Sequence, residues 1–453
     1  WLSPFPHSIP WFQKCKKADI HLRMPIMKHL EITPHDIEED WDIITSLPGH
    51  IIDHILGLLP IRDAVRTSIL SRKWRFRWSK IPTIVFDNTC VPLFSHDPIL
   101  IKNKLISIVD HVLLLHDGPI NKFKLSHRDL LGVSDIDRWI LHLSRTAVAE
   151  FVLEIWKGQR YQLPSVLFSF HSLVHLELFN CLIKPPGSFK GFSCVKSLDL
   201  QHVTMTQEVF ESLISSCILL ERLTLMNFDG FSHLKICAPN LQFFDVGGEF
   251  SDLTFHNAHR LTLVSIGLYT NVKVDHSRLL GNTNKLLWFM VSLPRIRRLE
   301  IQSYFMKYLA LGNMLTKLVN PCLDLNYLSL RMNFNDLEES LAALCLIRSA
   351  PNLQELEILT RGEDEAALGG MICYWDENLW GNLCVHLRVV RIVGISGLKS
   401  ELGFVYFVLS NSPVLEKMTV KPSSSDGSWD LMKTLLRFRR ASARAEIIYL
   451  DPS

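Results

Sequence analysis

The sequence predicts an α/β protein in which a small helical unit precedes a long solenoid of parallel β-strands. Two observations predict this fold class. Twelve matches to the pattern L-x-x-L-x-L, with any apolar residue allowed for leucine, follow one another at intervals of 20 to 35 residues after residue 119, and a short apolar run at helical spacing stands ahead of them. Self-similarity at a period of roughly 20–45 residues is typical of a solenoid, because one repeat cannot bury its apolar face alone.

Length and composition limit the alternatives. The chain has 453 residues, of which 47% are hydrophobic, and its formal net charge is +2. These values indicate two or three folded domains and give no general reason to expect binding to nucleic acid or membranes. No uncharged apolar run reaches about 18 residues, so no membrane span is predicted. The ten cysteines contain no C-x-x-C pair, which favours buried thiols of a reduced protein of the cytoplasm or nucleus.

Residues 1–40 are predicted to be a poorly ordered extension. The basic residues near its start follow the apolar part, which is the reverse of a secretory signal peptide. The chain begins at Trp1, and Met24 or Met27 would be a reasonable natural start. Residues 1–23 are therefore interpreted either as the product of a misplaced gene start or as a genuine flexible extension.

A compact apolar helix is predicted within SLPGHIIDHILGLLP, residues 46–60. Ser46 is suited to cap it, Pro48 fits the first turn, and Pro60 ends the pattern. The apolar positions at helical spacing are Leu47, Ile51, Ile52, Ile55, Leu56 and Leu59. With a second helix opening near Asp63, the unit is shorter than about fifty residues and buries too little surface to be comfortably stable alone. We therefore expect a partner to complete part of its surface.

The segment SRKWRFRWSK, residues 71–80, combines basic and aromatic residues. This combination is found in nucleic-acid contacts and nuclear signals. The interpretation we favour is that Trp74 and Trp78 are packed, while Arg72, Lys73, Arg75 and Arg77 form a solvated rim.

The twelve pattern matches occur at intervals of 20 to 35 residues. They begin at Ile120, Val148, Leu173, Val195, Leu220, Leu241, Leu261, Ile296, Leu325, Leu353, Leu387 and Leu415. The residue between the last two apolar anchors was not selected by the pattern, and it is polar in eleven of the twelve matches. A chain of this composition would give about six by chance. The alternation predicts short strands with one buried and one exposed face, stacked in parallel around a concave sheet.

Helices are predicted between several strands. Asp336 and Glu339 have the spacing of a capping box ahead of the apolar positions of residues 337–349. Residues 134–145 and 206–215 show similar helical periodicity. The body is therefore predicted to be a strand-plus-helix repeat.

Residues 42–88 closely resemble a plant F-box. The resemblance rests on Leu47-Pro48, the helix from Ile52 to Leu56, Leu59-Pro60, Ala64 to Ser68, and Trp74-Arg75 followed by Trp78. It implies docking onto a Skp1-like adaptor and, through that adaptor, onto a cullin-RING ubiquitin ligase. The residues it assigns to adaptor contact are Leu47, Pro48, Ile51, Ile52, Ile55, Leu56, Leu59, Pro60, Val65 and Trp74. The alternative is an ordinary helical cap on the main domain.

The C-terminal part resembles the FBD segment of plant F-box/FBD/LRR-repeat proteins. The residues that carry this resemblance are Trp375, Leu387, Val390, Gly397, Glu401, Leu402, Phe407, Asn411, Leu415 to Met418, and Arg440 to Ser442. Residues 401–411 read as a helix between the last two repeats, so the segment is expected to continue and cap the solenoid. The expected domains are an F-box at 41–88, leucine-rich repeats at 89–372 and the FBD segment at 373–451.

The expected function is that of a substrate-recruiting subunit of an SCF-type ubiquitin ligase. The repeats would hold an unidentified target protein through exposed central strand positions, namely Glu177, Asp199, Thr224, Asp245, Glu300, Ser329 and Glu357. Acids outnumber bases at these central positions, which favours a target with a basic segment and disfavours a phosphate-rich ligand in the concave face. Two alternatives are a receptor regulated by a small ligand in the concave face and a non-degradative scaffold.

No catalytic motif supports an enzyme. The sequence has no GxxxxGK phosphate loop, no GxSxG elbow and no HExxH zinc motif. His171 and His175 are four residues apart, but the strand that follows makes metal binding an unfavourable interpretation. No catalytic residue, cofactor or metal is therefore predicted.

Overall fold

The repeats stack their strands into one continuous parallel sheet. This computed structural model of the chain describes residues 46–91, 98–270, 285–311, 317–362, 385–424 and 428–451. Its strands are β1 (Thr83–Phe86), β2 (Lys122–Leu131), β3 (Glu150–Lys157), β4 (Tyr161–Gln162), β5 (His175–Phe179), β6 (Cys181–Leu182), β7 (Ser197–Gln201), β8 (Arg222–Met226), β9 (His233–Cys237), β10 (Phe243–Gly248), β11 (Asp252–His256), β12 (Leu263–Leu268), β13 (Arg298–Ser303), β14 (Tyr327–Met332), β15 (Glu355–Thr360), β16 (Val389–Ile395), β17 (Lys417–Pro422) and β18 (Glu446–Tyr449).

Fourteen of these strands form the large sheet in the order β1-β2-β3-β5-β7-β8-β10-β12-β13-β14-β15-β16-β17-β18. All twelve strands predicted from the L-x-x-L-x-L pattern are present and occupy consecutive places, so the prediction of one parallel sheet is confirmed. The sheet also gains β1 at one end and β18 at the other. Strand β1 fits the same pattern through Ile81, Ile84 and Phe86, but it lies ahead of the twelve predicted strands. The strand of the last predicted repeat, β17, is therefore followed by one more strand in the sheet.

Backbone hydrogen bonds fix the spacing of the repeats at the edge where the strands begin. The carbonyl of Gln242 accepts from the amides of Thr262 and Leu263 at 3.0 and 3.1 Å. The carbonyl of Thr262 accepts in the same way from Arg297 and Arg298 at 2.8 and 3.0 Å. Because this arrangement recurs from repeat to repeat, equivalent residues of neighbouring repeats lie side by side along this edge.

The α-helices of the described residues lie between the strands or ahead of the sheet. They are α1 (Gly49–Leu58), α2 (Ile61–Arg66), α3 (Pro98–Leu115), α4 (Ser134–Leu143), α5 (Gln207–Ser216), α6 (Lys285–Val291), α7 (Phe305–Ala310), α8 (Leu337–Ser349), α9 (Lys399–Asn411) and α10 (Ser428–Arg437). Asp336 caps α8 as predicted, because its carboxylate accepts from the amides of Glu338 and Glu339 at 3.0 and 3.2 Å. The helix expected at 401–411 is α9.

One apolar core extends from Ile52 in α1 to Ala445 just before β18. At its N-terminal end three phenylalanine rings pack across three strands: Phe86 meets Phe123 edge to face with centroids 5.9 Å apart, and Phe123 stacks on Phe151 with centroids 5.8 Å apart. All three rings are fully buried. Repeat-to-repeat stacking of this kind gives each strand its buried face.

The helical unit is joined to the first strand of the sheet. Helix α2 contacts β1, and the amide of Asp117 donates to the carbonyl of Ser79 at 2.9 Å. Residues from 47 onward accordingly form one compact unit. Strand β1 lies within residues 41–88, so the end of the range predicted for the F-box belongs to the sheet.

The start of α1 differs from the prediction. The residue before its first turn is Pro48, with φ −59° and ψ 147°, and no side chain caps the helix. The residue in the N-cap position is thus Pro48 and not the predicted Ser46. Among the described residues, no helix is both long and apolar enough to span a bilayer.

Candidate functional site: two interaction surfaces

The apolar residues of the helical unit divide into a buried group and an exposed group. Ile52 and Leu56 are fully buried, and Trp74 is 4% exposed. The sequence analysis assigned these three residues to adaptor contact, and in the structure they lie in the core. They face the rest of the unit and the end of the sheet, so they support the outer surface from beneath.

The other seven predicted contact residues reach the surface. Pro48, Ile51, Leu59 and Pro60 are exposed, and Leu47, Ile55 and Val65 are half-buried. These seven residues remain candidates for contact with a partner.

Four exposed apolar residues of the same unit were not predicted. They are Leu58, Ile69, Leu70 and Phe76, with exposed fractions of 74%, 88%, 47% and 59%. Exposed large apolar side chains on so small a unit indicate an interaction surface. For Leu58 the available sequence signal is its position in α1 outside the buried stripe of Ile52 and Leu56. We call the seven accessible residues and these four the hook surface.

Phe76 holds an uncommon backbone conformation. Its φ is 63°, in the left-handed region that non-glycine residues rarely adopt. The Ser79 hydroxyl donates to the Phe76 carbonyl at 2.6 Å, which fixes the turn. The surrounding structure thus maintains a strained residue whose ring points into solvent, as is often found at binding sites.

Arg77 clamps the turn of Phe76 against α1. Its Nε and Nη2 donate to the two carboxylate oxygens of Asp53 at 2.8 and 2.7 Å, and Nη2 also donates to the Gly49 carbonyl at 3.1 Å. The hydrogen bond to Asp53 raises the pKa of Arg77. Trp74 and Trp78 are packed as predicted, but Arg77 is a structural clamp and not part of a freely solvated rim.

The concave face of the sheet carries the predicted target-binding residues in a single row. Strand register pairs Glu177 with Asp199, and Asp199 with Thr224. Further along, Glu300 pairs with Ser329, and Ser329 with Glu357. The structure therefore brings together all seven residues, Glu177, Asp199, Thr224, Asp245, Glu300, Ser329 and Glu357, which we call the central row.

The central row is less exposed and less acidic than the sequence suggested. Ser329 is only 3% exposed, and the other six residues are half-buried. Glu300 accepts from Nε of Arg298 at 2.9 Å, and Glu357 accepts from the Tyr327 hydroxyl at 2.6 Å. The guanidinium of Arg298 also lies 3.5 Å from the centre of the Tyr327 ring. Arg298 and Tyr327, each two residues before a member of the central row, thus cover part of the row, and Arg298 partly neutralises its negative charge.

Asp245 has the most perturbed carboxyl of the row. Burial raises its pKa to about 7, and the negative charges of Glu300 and Asp199 add to that increase. A hydrogen bond to Ser265 opposes the increase. This carboxyl can therefore change its charge near neutral pH.

An aromatic patch borders the concave face near its N-terminal end. The Trp156 ring is 50% exposed and stacks on Phe179 with centroids 4.6 Å apart. The Trp156 indole nitrogen donates to Glu154 at 3.2 Å, and Lys124 donates to the same carboxylate at 2.9 Å. An exposed tryptophan held in this way presents a rigid apolar contact, which is typical of protein-binding surfaces.

In the described residues no group of three or more His, Cys, Asp or Glu could hold a metal ion.

Comparisons with known proteins agree with this architecture. The F-box domain family matches residues 44–84, the LRR repeats of the FBD-associated F-box protein At5g56370 match residues 136–358, and the FBD family matches residues 383–420.

Curated relatives from Arabidopsis thaliana match over most of the chain. The F-box/FBD/LRR-repeat protein At1g13570 is 39% identical over 422 residues, which cover 91% of this chain and 99% of the relative. The F-box/FBD/LRR-repeat protein At5g53840 is 26% identical over 83% of this chain and 87% of its own length. The putative F-box/FBD/LRR-repeat protein At2g05300 is 27% identical over 90% and 97%. With its helical unit, its repeat sheet and its C-terminal segment all accounted for, the chain belongs to the family of F-box/FBD/LRR-repeat proteins.

Proposed function

We propose that this chain is a non-catalytic, substrate-recruiting subunit of an SCF-type ubiquitin ligase in the cytoplasm or nucleus. The hook surface binds a Skp1-like adaptor, which links the chain to a cullin-RING ligase. The concave face holds a target protein near the ubiquitin-loaded enzyme. The chain contributes proximity, which raises the effective concentration of the target at the site of transfer.

The observation that carries this proposal is the exposed apolar hook surface on an otherwise well-packed unit. Ile69 and Leu58 are the most exposed of its apolar residues. The unit beneath them is anchored to the sheet through β1, so binding at the hook surface requires no separation of the two parts. A rigid, apolar, exposed surface of this kind favours stable attachment to another protein.

For target binding, the proposed contact residues are the central row and the aromatic patch. The accessible members of the row are Glu177, Asp199, Thr224, Asp245, Glu300 and Glu357, and the buried Ser329 supports them. Trp156 adds an exposed aromatic anchor of the type that dominates protein interfaces. Capture experiments with the intact chain would identify the target protein.

The adaptor proposal is tested by placing charge on the hook surface. We expect Leu58→Glu with Ile69→Glu to reduce capture of a Skp1-like adaptor by about two orders of magnitude or more, because each buried leucine or isoleucine contributes roughly 1.5–3 kcal/mol. Adaptor capture is measured by pull-down and titration, and folding by thermal melting of the same variant. The melting temperature should stay close to the wild-type value, since both residues are exposed.

The matched control places the same two substitutions elsewhere. Ile218→Glu with Leu436→Glu replaces residues that are 58% and 57% exposed outside the helical unit. This control should capture the adaptor as the wild type does. Equal capture by the hook variant and the wild type would show that the hook surface does not bind the adaptor.

A further inference from the structure

A cavity lined by arginines lies at the edge where the strands begin, away from the central row. Its volume is about 400 Å³, and its lining residues are Gln242, Arg260, Thr262, Arg295, Arg297 and Asp324. Gln242, Thr262 and Arg297 occupy the same position in three consecutive repeats, where the backbone carbonyl accepts from amides of the next repeat. Arg260, Arg295 and Asp324 each immediately precede the first apolar residue of three consecutive strand patterns. Repeat stacking therefore places three arginines around one cavity.

These arginines differ from the other basic residues of the same edge. At the position equivalent to Arg297 in other repeats, Lys196 forms an ion pair with Glu221 at 3.1 Å, and Arg388 forms one with Glu416 at 3.7 Å. The equivalent residues of the two repeats next to Arg297 are Thr262 and Asn326, which carry no charge. Within the described residues none of the three pocket arginines takes part in an ion pair, and all three are exposed. Their positive charge is therefore available to a ligand.

The charge of the cavity identifies the ligand chemistry. Three arginines and one aspartate give the lining a formal charge of +2. A phosphate monoester carries about −1.5 to −2 near neutral pH and offers three acceptor oxygens. The planar fork of a guanidinium donates to two phosphate oxygens at once, and the third oxygen can accept from a second guanidinium. A carboxylate has only two oxygens and so satisfies fewer arginines. We propose that this edge cavity binds a phosphate monoester through Arg260, Arg295 and Arg297.

This site is separate from the proposed adaptor and target surfaces. The sequence analysis considered basic residues only at the central strand positions, and it disfavoured phosphate there. The arginines of the cavity lie outside those positions, so their convergence becomes visible only once the strands are stacked in register. Binding at the cavity can be measured on the chain itself, independently of any adaptor.

The test is a calorimetric titration of the purified full chain. The probes are O-phosphoserine, inorganic phosphate and a neutral peptide with one central phosphoserine, with serine and the unphosphorylated peptide as blanks. We expect the phosphorylated probes to bind and the blanks not to bind. Replacing Arg260, Arg295 and Arg297 together with glutamine should weaken binding by at least about tenfold, because charge-assisted hydrogen bonds are lost.

Two further variants make the result specific. Arg388→Gln removes an ion-paired arginine of the same edge and should leave phosphate binding unchanged. Asp324→Asn removes the single negative charge of the cavity and should tighten binding by about two- to fivefold. Stronger binding of the phosphopeptide than of O-phosphoserine would identify a phosphorylated protein segment as the source of the ligand, and equal binding would identify a small phosphate ester. The proposal is overturned if no phosphorylated probe binds the folded chain, or if the triple variant binds as the wild type does.

Discussion

The carboxyl of Asp245 lies on the concave face with Asp199 and Glu300 each two strands away. Its pKa is raised from 3.8 to about 7, so the folded chain holds this proton more tightly than the unfolded chain does. The stabilisation that follows is fully present below about pH 4 and is lost as the pH rises through about 7. Above that range the carboxylate is ionised in a poorly solvated position and destabilises the fold.

Replacement of this single residue gives the first prediction at this scale. We expect Asp245→Asn to raise the melting temperature at pH 8 and to change it little at pH 4.5, because asparagine has no charge to desolvate. Thermal melting across this pH range measures the effect. Asp430→Asn, which removes a carboxylate whose side chain is 88% exposed, serves as the control for loss of a negative charge. A stabilisation by Asp245→Asn that is the same at both pH values would contradict the interpretation.

At the scale of the element, a buried ion pair ties three neighbouring repeats together. Arg361, just after β15, forms a salt bridge with the fully buried carboxylate of Glu339 in α8. Arg361 also donates to the carbonyl of Ser303 at the end of β13, at 2.7 Å. Glu339 accepts in addition from the amide of Asn333 at 3.0 Å. Burial raises the pKa of Glu339, and the charge of Arg361 opposes that increase.

Removing one partner of this pair should be more damaging than neutralising both. We expect Arg361→Met to lower the free energy of unfolding by about 3–5 kcal/mol, because it leaves a buried carboxylate without its counter-charge. Adding Glu339→Gln to that variant should recover part of the loss, since glutamine can keep the bond from Asn333 without a charge. Urea unfolding of the wild type, both single variants and the double variant measures the coupling. A loss below about 1 kcal/mol for Arg361→Met would show that the pair is not a structural clamp.

The elements that the sequence predicts well are those with a local periodic signal. The twelve strands follow from alternating residues, and α8 follows from Asp336 and the apolar positions behind it. Strands β1 and β18 lie at the two ends of the sheet, beyond the twelve predicted strands, and join it by pairing with β2 and β17. The residues of β1 fit the pattern at Ile81, Ile84 and Phe86, but they belong to the segment that was interpreted as the F-box. The exposed residues Ile69 and Phe76 escape prediction because they lie in turns, where no periodic pattern separates a buried apolar side chain from an exposed one. The arginine cavity depends on register between repeats, which no single repeat contains.

At the scale of the whole molecule, the helical unit and the repeats share one core. In a solenoid each repeat contacts mainly its neighbours, so stability is approximately a sum of local terms. Phe86 sits at the junction, fully buried in β1 and in contact with Phe123 of β2. The hook surface therefore depends on the first strands of the sheet for its rigidity, and much less on the distant C-terminal repeats.

This dependence gives the prediction for the whole chain. Phe86→Ala removes a fully buried ring, which typically lowers the free energy of unfolding by about 3–5 kcal/mol. Because coupling runs between neighbours, we expect hydrogen exchange to show lost protection in residues 49–86 and 122–157, with residues 389–449 protected as in the wild type. Adaptor capture should fall with it, although no hook residue has changed. Phe407→Ala, at a fully buried position in α9, is the matched control and should produce the reverse distribution of lost protection. If Phe86→Ala loosens the helical unit alone, the unit and the sheet fold independently. If it removes protection evenly from both ends, the sheet unfolds as a single cooperative block and the nearest-neighbour description is wrong for this chain.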